Sequence, residues 1–300
     1  MDLNTYIMIW VCVIGLCMGS FFNVVILRSL SGESIVLPPS KCPKCNHKLF
    51  WWHNIPLISY LLLRGKCYFC KEKISIQYPI IELLSMVLFG LSYWRFGLSY
   101  TTLFVIFWVS CLLIMTMTDI KEKLVDCNIA IAMAVSGVIY SGLVAGKKGI
   151  ICSILGLILG ALIMEIIARA GFLFAKTRAM GEADTYVAGA LGSIFAVFMI
   201  TKVLLYSLFV SMIFVVPVFL YNKYKAGDKP TCILSVLFTI SIIAYWRALP
   251  NYWTLAALVI TGLALAYFVL KGVKSAENHN YLPYVPALAI SAVYFIFWVI

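Results

Sequence analysis

Charged side chains are scarce in this chain of 300 residues. Asp, Glu, Lys and Arg make up 12% of it, whereas 63% of its residues are hydrophobic. A soluble domain usually carries about twice that charged fraction. This shortage excludes an ordinary water-soluble globular protein. Several apolar runs approach or reach the length of about 20 residues that a helix needs to cross a hydrocarbon layer. The sequence therefore predicts an all-α, polytopic membrane protein whose bulk surroundings are the lipid bilayer.

Acidic residues are the rarer of the charged types, with 12 Asp and Glu against 23 Lys and Arg, a formal net charge of +11. In membrane proteins such an excess collects in the cytoplasmic loops and sets the orientation of the helices. We therefore expect no nucleic-acid partner. A basic segment before the first apolar run is also missing, because Asp2 is the only charge there. This run is predicted to be a retained helix and not a cleaved signal peptide.

We predict about eight to ten transmembrane helices. The chain divides into a first transmembrane helix (1–27), a polar loop (28–78) and a polytopic membrane part (79–300). Apart from the polar loop, the predicted connections are short. In order, the apolar segments occupy residues 5–27, 79–95, 101–118, 128–145, 149–168, 186–201, 203–221, 231–246, 252–270 and 284–300.

The orientation follows from the basic residues. The 28–78 loop carries eight Lys and Arg side chains, which favours a cytoplasmic location. Alternating crossings then bring four other connections to the same side of the membrane. These connections are residues 119–127, 169–185, 222–230 and 271–283.

Four of the ten cysteines form a C-x2-C…C-x2-C pattern, with 21 residues between Cys42-x2-Cys45 and Cys67-x2-Cys70. Each pair can present two thiolates to one tetrahedral ion. The pattern therefore predicts a structural zinc site without an open coordination position. A pair of disulfides is one alternative, which a cytoplasmic location disfavours. An iron–sulfur cluster is another.

Two aspartates border predicted spans on the same face of the membrane. Asp119 follows the apolar run ending at Thr118, and Asp184 precedes the run that begins at Tyr186. Acidic residues at such depths are rare and often functional. If the two carboxyl groups converge, one keeps a proton while the other is ionised, so the pair can activate water and protonate a leaving group. The competing interpretation is that each aspartate is simply solvated at the boundary.

Taken together, these segments resemble the type IV prepilin peptidase family, also called leader peptidase/N-methyltransferase. Gly181-Glu182-Ala183-Asp184 resembles the GxGD motif of that family, and the residues from Asn280 to Leu288 resemble the entry to its last helix. The densest similarity lies between residues 15 and 85. It comprises Gly19 to Val25 with Arg28, Cys42-Pro43-Lys44-Cys45, Asn54-Ile55-Pro56, Gly65 to Cys70, Ile74-Ser75 and Tyr78 to Leu83.

The resemblance implies a bifunctional enzyme of the bacterial cytoplasmic (inner) membrane, with its active site at the cytoplasmic face. Such an enzyme cleaves the basic leader of type IV prepilins or pseudopilins after a glycine and then N-methylates the new terminal residue with S-adenosylmethionine. By motif position, Asp119 and Asp184 are the implied peptidase residues. The resemblance also implies that methylation depends on the region of the cysteine loop. There, Glu82 and Asn23 are our candidates for binding the cofactor. The four cysteines would hold the structural Zn²⁺.

The chain departs from the family pattern at three positions in the peptidase half. Ala183 replaces the glycine before the second aspartate, Tyr186 replaces a lysine, and Asp126 replaces a proline. The chain also adds an apolar hairpin at 231–270. Two alternatives follow: a peptidase without methyltransferase activity, and a non-enzymatic membrane scaffold or transporter with a structural zinc domain.

Overall fold

The computed structural model of the protein is built from helices. It describes residues 2–34, 36, 39–175, 181–225, 233–234, 236–237, 240–241, 256, 260–261 and 284–299. Within these ranges, β structure is limited to two isolated bridges, so the predicted all-α class is confirmed. The seven helices that we number are α1 (Leu3–Ser31), α2 (Ile58–Leu62), α3 (Gln77–Phe96), α4 (Tyr100–Glu122), α5 (Cys127–Ala175), α6 (Glu182–Lys225) and α7 (Val285–Trp298).

The chain forms two compact units. The first comprises Met1–Leu162, Glu182–Leu204 and Pro283–Ile300, and the second comprises Ile163–Gly181 and Leu205–Leu282. All the predicted site residues belong to the first unit, which is therefore the one described below. The predicted division at residues 27 and 78 stays a prediction.

Five helices in the described part of the chain are long and apolar enough to cross a membrane: α1, α3, α4, Cys127–Arg169 of α5 and Glu182–Ser211 of α6. Each of the last two contains a break with non-helical backbone angles, at Gly146 and at Ala196. The first break confirms the predicted boundary between the segments 128–145 and 149–168. The second lies before residue 201, where we expected the next boundary. The predicted segments 231–246 and 252–270 fall largely outside the described residues.

Helices α1 and α3 pack with their backbones in contact. Gly15 and Gly19 lie one turn apart on α1, and a Cβ atom on Gly19 would stand 2.6 Å from the Cα of Glu82. A Cβ atom on Gly15 would stand 2.9 Å from the Cα of Met86. Two glycines at this spacing allow close helix contact inside a bilayer, where packing replaces the hydrophobic effect as the driving force.

Contacts along α4 and α5 show that these neighbours run in opposite directions. The hydroxyl of Thr101 lies 3.5 Å from that of Tyr140, and the Trp108 indole N–H donates to Ser136 Oγ at 2.9 Å. Beyond the break at Gly146, α5 turns back. Its Ser153 hydroxyl then donates to the carbonyl oxygen of Ser193 at 2.6 Å.

The first part of α6 packs against the second part of α5. Gly156 lies against Gly192, and Gly160 lies against Ala188. The residue number rises from 156 to 160 on α5 while that of its partner on α6 falls from 192 to 188, so the two segments are antiparallel. Because the direction reverses three times from α4 to the first part of α6, the start of α6 and the end of α4 lie on the same side.

Helix α7 starts at that same end. The N–H of Val285 donates to Asp119 Oδ2 near the end of α4 at 3.1 Å. At the other end of α7, Arg95 Nε donates to the Phe297 carbonyl oxygen at 3.2 Å. The rings of Phe195 of α6 and Phe295 of α7 meet with their centroids 6.2 Å apart. Thus α6 and α7 run in parallel from the end of the unit that contains Asp119.

We predict that Gly19→Ala destabilises the protein by about 1–3 kcal/mol, because an added methyl group has no room beside the backbone of α3. The measurement is thermal unfolding of the detergent-purified protein. Cys17→Ala is the matched control, since Cys17 is exposed on the same helix. Equal melting temperatures for the two variants would contradict the close packing of α1 on α3.

Candidate functional site

The two cysteine pairs fold into two matching loops. In the first, Cys42 N–H donates to the His47 carbonyl oxygen at 3.0 Å; in the second, Cys67 N–H donates to that of Glu72 at 2.8 Å. The residue after each second cysteine, Asn46 or Lys71, has a positive φ of 56° or 60°. That conformation turns the chain back and aims the two thiols of each loop in one direction.

The four thiols meet. Their sulfur atoms all lie within 4.8 Å of one another, and Cys42 Sγ and Cys70 Sγ are 3.9 Å apart. Tetrahedral zinc with Zn–S bonds of about 2.3 Å requires sulfur atoms about 3.8 Å apart. The backbone N–H of Cys70 lowers the pKa of the Cys67 thiol, which favours the thiolate form of that residue. The cluster therefore fits zinc, as the spacing predicts.

Neither histidine between the cysteine pairs belongs to this cluster. His47 stacks on Phe69 with ring centroids 4.5 Å apart. His53 is buried among aromatic rings, with Trp52 at 3.7 Å, and burial lowers its pKa. The two side chains therefore pack the loop, and the four thiols form the cluster without them.

Asn23 and Glu82 lie together at the contact between α1 and α3. Asn23 is fully buried, and its amide donates to the carbonyl oxygens of Gly19 and Tyr78, both at 3.2 Å. Glu82, which is 6% exposed, accepts the N–H of Leu57 at 2.8 Å through Oε2. Both side chains thus make hydrogen bonds that join helices and loop. Their predicted role in binding the cofactor stays a prediction.

Asp119 lies in the last turn of α4 and is 5% exposed. Its Oδ2 accepts the N–H of Val285, the first residue of α7. The N–H groups of a first helical turn have no partner within their own helix, and they favour a negatively charged group nearby. The carboxyl group is therefore held between two helix ends that are 166 residues apart in sequence.

Asp184 lies in the first turn of α6 and is 6% exposed. The apolar pattern predicts a helix starting near Tyr186, just after Asp184, but α6 already begins at Glu182. Acidic side chains in a first turn are favoured by the helix dipole, which accounts for the earlier start. Glu182 is exposed, whereas Asp184 points inwards.

The two aspartates lie at about the same level. Trp108 of α4 bonds to Ser136 of α5, and the adjacent Gly137 lies against Ser193 of α6. Asp119 lies eleven residues after Trp108 on α4, about 16 Å along the helix axis. Asp184 lies nine residues before Ser193 on α6, about 14 Å along the axis in the same direction. The described contacts therefore bring both buried carboxyl groups to one end of the unit.

The three departures from the family pattern have simple structural positions. Ala183 lies within the first turn of α6, and Tyr186 is 49% exposed on the same helix. Asp126 Oδ1 accepts the N–H of Asn128 at 2.9 Å, at the start of α5. Through this last contact, Asp126 caps that helix.

Comparison with known proteins gives two family matches that follow each other along the chain. Residues 13–96 match the bacterial Peptidase A24 N-terminal domain, and residues 104–216 match the type IV leader peptidase family. The first match covers the cysteine loop together with Asn23 and Glu82, and the second covers both aspartates. No solved structure matches the chain.

Individual relatives agree with these matches, and the three described here are each named prepilin leader peptidase/N-methyltransferase. The protein from Neisseria gonorrhoeae is 30% identical over 267 residues, covering 80% of this chain and 92% of the relative. The one from Myxococcus xanthus is 34% identical over 185 residues, 62% of this chain and 55% of the relative. The one from Stutzerimonas stutzeri is 34% identical over 174 residues, 50% of this chain and 58% of the relative.

We predict that the purified protein contains about one zinc ion per chain and that Cys42→Ser removes most of it, because one of four ligands is lost. Metal analysis by mass spectrometry measures the content. Cys17→Ser, which alters an exposed thiol of α1, should leave the zinc in place. Full zinc content in the Cys42→Ser protein would contradict the site.

Proposed function

Because the chain belongs to the type IV leader peptidase family, we propose that it cleaves the basic leader of type IV prepilins or pseudopilins after a glycine and N-methylates the new terminal residue. The catalytic groups in this proposal are Asp119 and Asp184. The protein would lie in the bacterial cytoplasmic (inner) membrane as a multi-pass enzyme with its active site at the cytoplasmic face. The methyl donor would be S-adenosylmethionine.

The observation that carries the peptidase proposal is the location of two buried aspartates at one end of the same helical unit. Burial of a carboxyl group is costly unless it is hydrogen-bonded or shares a proton with a second one. Asp119 has a backbone donor from α7. Two such groups facing a common space can hold one proton between them, which is the state that this chemistry requires.

In the proposed reaction, the ionised aspartate takes a proton from a water molecule, and the resulting hydroxide attacks the carbonyl carbon of the glycine. The protonated aspartate donates its proton to the nitrogen of the leaving residue as the C–N bond breaks. The products are a leader that ends in a carboxylate and a mature pilin with a free amine. Water is the nucleophile, so no covalent acyl-enzyme forms.

The level of the two aspartates suits the form of such a substrate. A prepilin would keep its apolar helix in the bilayer beside the enzyme and extend its basic leader into the cytoplasm. The bond between the two parts then lies at the membrane boundary. Asp119 in the last turn of α4 and Asp184 in the first turn of α6 are at the ends of apolar helices, where that bond would arrive.

We associate methylation with the 28–78 loop, which carries the four-cysteine cluster. S-adenosylmethionine supplies an electrophilic methyl group when bound. Asn23 and Glu82, at the contact between α1 and α3, are the residues proposed to bind that cofactor. Both are buried there with hydrogen bonds to the surrounding backbone.

We predict that Asp119→Asn and Asp184→Asn each lower prepilin cleavage by about 10²–10⁴-fold, because an amide can neither accept the proton of water nor supply one. The measurement is leader removal from a co-expressed prepilin, read by gel mobility and mass. Glu122→Gln is the matched control: it alters an exposed carboxylate three residues after Asp119 and should cleave normally. Full processing by both Asn variants would refute the assignment.

We also predict that the mature pilin made by this enzyme is heavier by one methyl group at its N-terminus than the unmethylated product. Mass spectrometry of the N-terminal peptide tests this after co-expression. An unmodified N-terminus on a fully cleaved pilin would contradict the bifunctional assignment and support the alternative of a peptidase that lacks methyltransferase activity.

A further inference from the structure

The short helix α2 lies in the middle of the polar loop and exposes an apolar face. Ile58, Leu61 and Leu62 are 55%, 72% and 77% exposed. Their i, i+3, i+4 spacing puts them on one side of the helix. Large aliphatic side chains that stand together and exposed mark a surface that contacts something apolar.

A hydrogen bond connects the start of α2 to a residue within a membrane-spanning helix. The N–H of Leu57, the residue before α2, donates to Glu82 Oε2 on α3 at 2.8 Å. Glu82 belongs to the span Gln77–Phe96, and its neighbours Ile80, Leu83 and Leu84 are 42–46% exposed. Such residues on a membrane helix face lipid. The apolar face of α2 therefore begins at the level of the lipid-facing surface of α3.

Basic residues surround this apolar face. The exposed Arg64 and Lys66 follow α2 directly. Over residues 28–78 there are eight Lys and Arg against two acidic residues, Glu33 and Glu72. An apolar face with basic residues beside it is the pattern of a helix lying in the interface of an anionic bilayer.

We propose that α2 is an interfacial anchor, which inserts Ile58, Leu61 and Leu62 into the anionic leaflet facing the loop and tethers the zinc loop beside the membrane without inserting the cysteine loops into lipid. The occupant of the exposed face is thus lipid and not a protein. The inference rests on the membrane spans and on the Glu82–Leu57 hydrogen bond. It is independent of the proposed peptidase and methyltransferase activities.

The test is photo-crosslinking of the full chain in nanodiscs that contain phosphatidylglycerol. A benzophenone amino acid replaces Leu62, and lipid adducts are measured by mass spectrometry after illumination. The same replacement at Leu84 of α3 is the positive control, because that side chain belongs to a membrane helix. Replacement at Lys44, an exposed residue of the first cysteine loop, is the matched control outside α2. Zinc content checks that each variant is folded.

We expect a lipid adduct at Leu62 with a yield close to that at Leu84 and several-fold above that at Lys44. The yield at Leu62 should fall several-fold when phosphatidylcholine replaces the anionic lipid. Three results would overturn the proposal. They are no adduct at Leu62 while Leu84 reacts, equal yields at Leu62 and Lys44, and crosslinks from Leu62 to a second copy or another protein in place of lipid.

Discussion

The packing of the first unit is constrained by two carboxyl groups that are buried at one end of its apolar helical bundle. Asp119 and Asp184 are both almost fully buried. A buried ionised group without partners would be expelled or neutralised. The hydrogen bond from the N–H of Val285 gives the Asp119 carboxyl group one such partner. It also joins the start of α7 to the end of α4. The same hydrogen bond thus serves the chemistry proposed for the pair and the packing of α7 in the helical bundle.

Small residues allow the helices to approach closely enough to bury such groups. Gly156 and Gly160 of α5 lie against the backbone of Gly192 and Ala188 on α6. Hydrophobic burial gives no advantage to helix association within lipid, so close packing and hydrogen bonds must supply it. The hydrogen bond from Ser153 to the backbone of Ser193, between the same helices, is an example of the second contribution.

The features that could be predicted from the sequence are those set by local spacing. Four cysteines in two equal pairs specify a metal cluster, and long apolar runs specify helices. The break at Gly146 was also predictable, because a glycine and two lysines interrupt the apolar pattern there. The break at Ala196 has no such signal, since alanine with a positive φ inside an apolar run depends on tertiary packing. The start of α6 was misplaced because acidic residues in a first helical turn resemble a loop.

The hydrogen bonds between distant segments could not be predicted. Nothing near Val285 indicates that its N–H meets Asp119, and nothing near Leu57 indicates that its N–H meets Glu82. The hydrogen bond from Leu57 to Glu82 shows why this matters for assigning roles. Glu82 fastens α2 and the loop to α3, so a substitution there would change both the position of the loop and the charge available to a bound cofactor. A loss of methylation in such a variant identifies a contact with the cofactor only if the loop keeps its position.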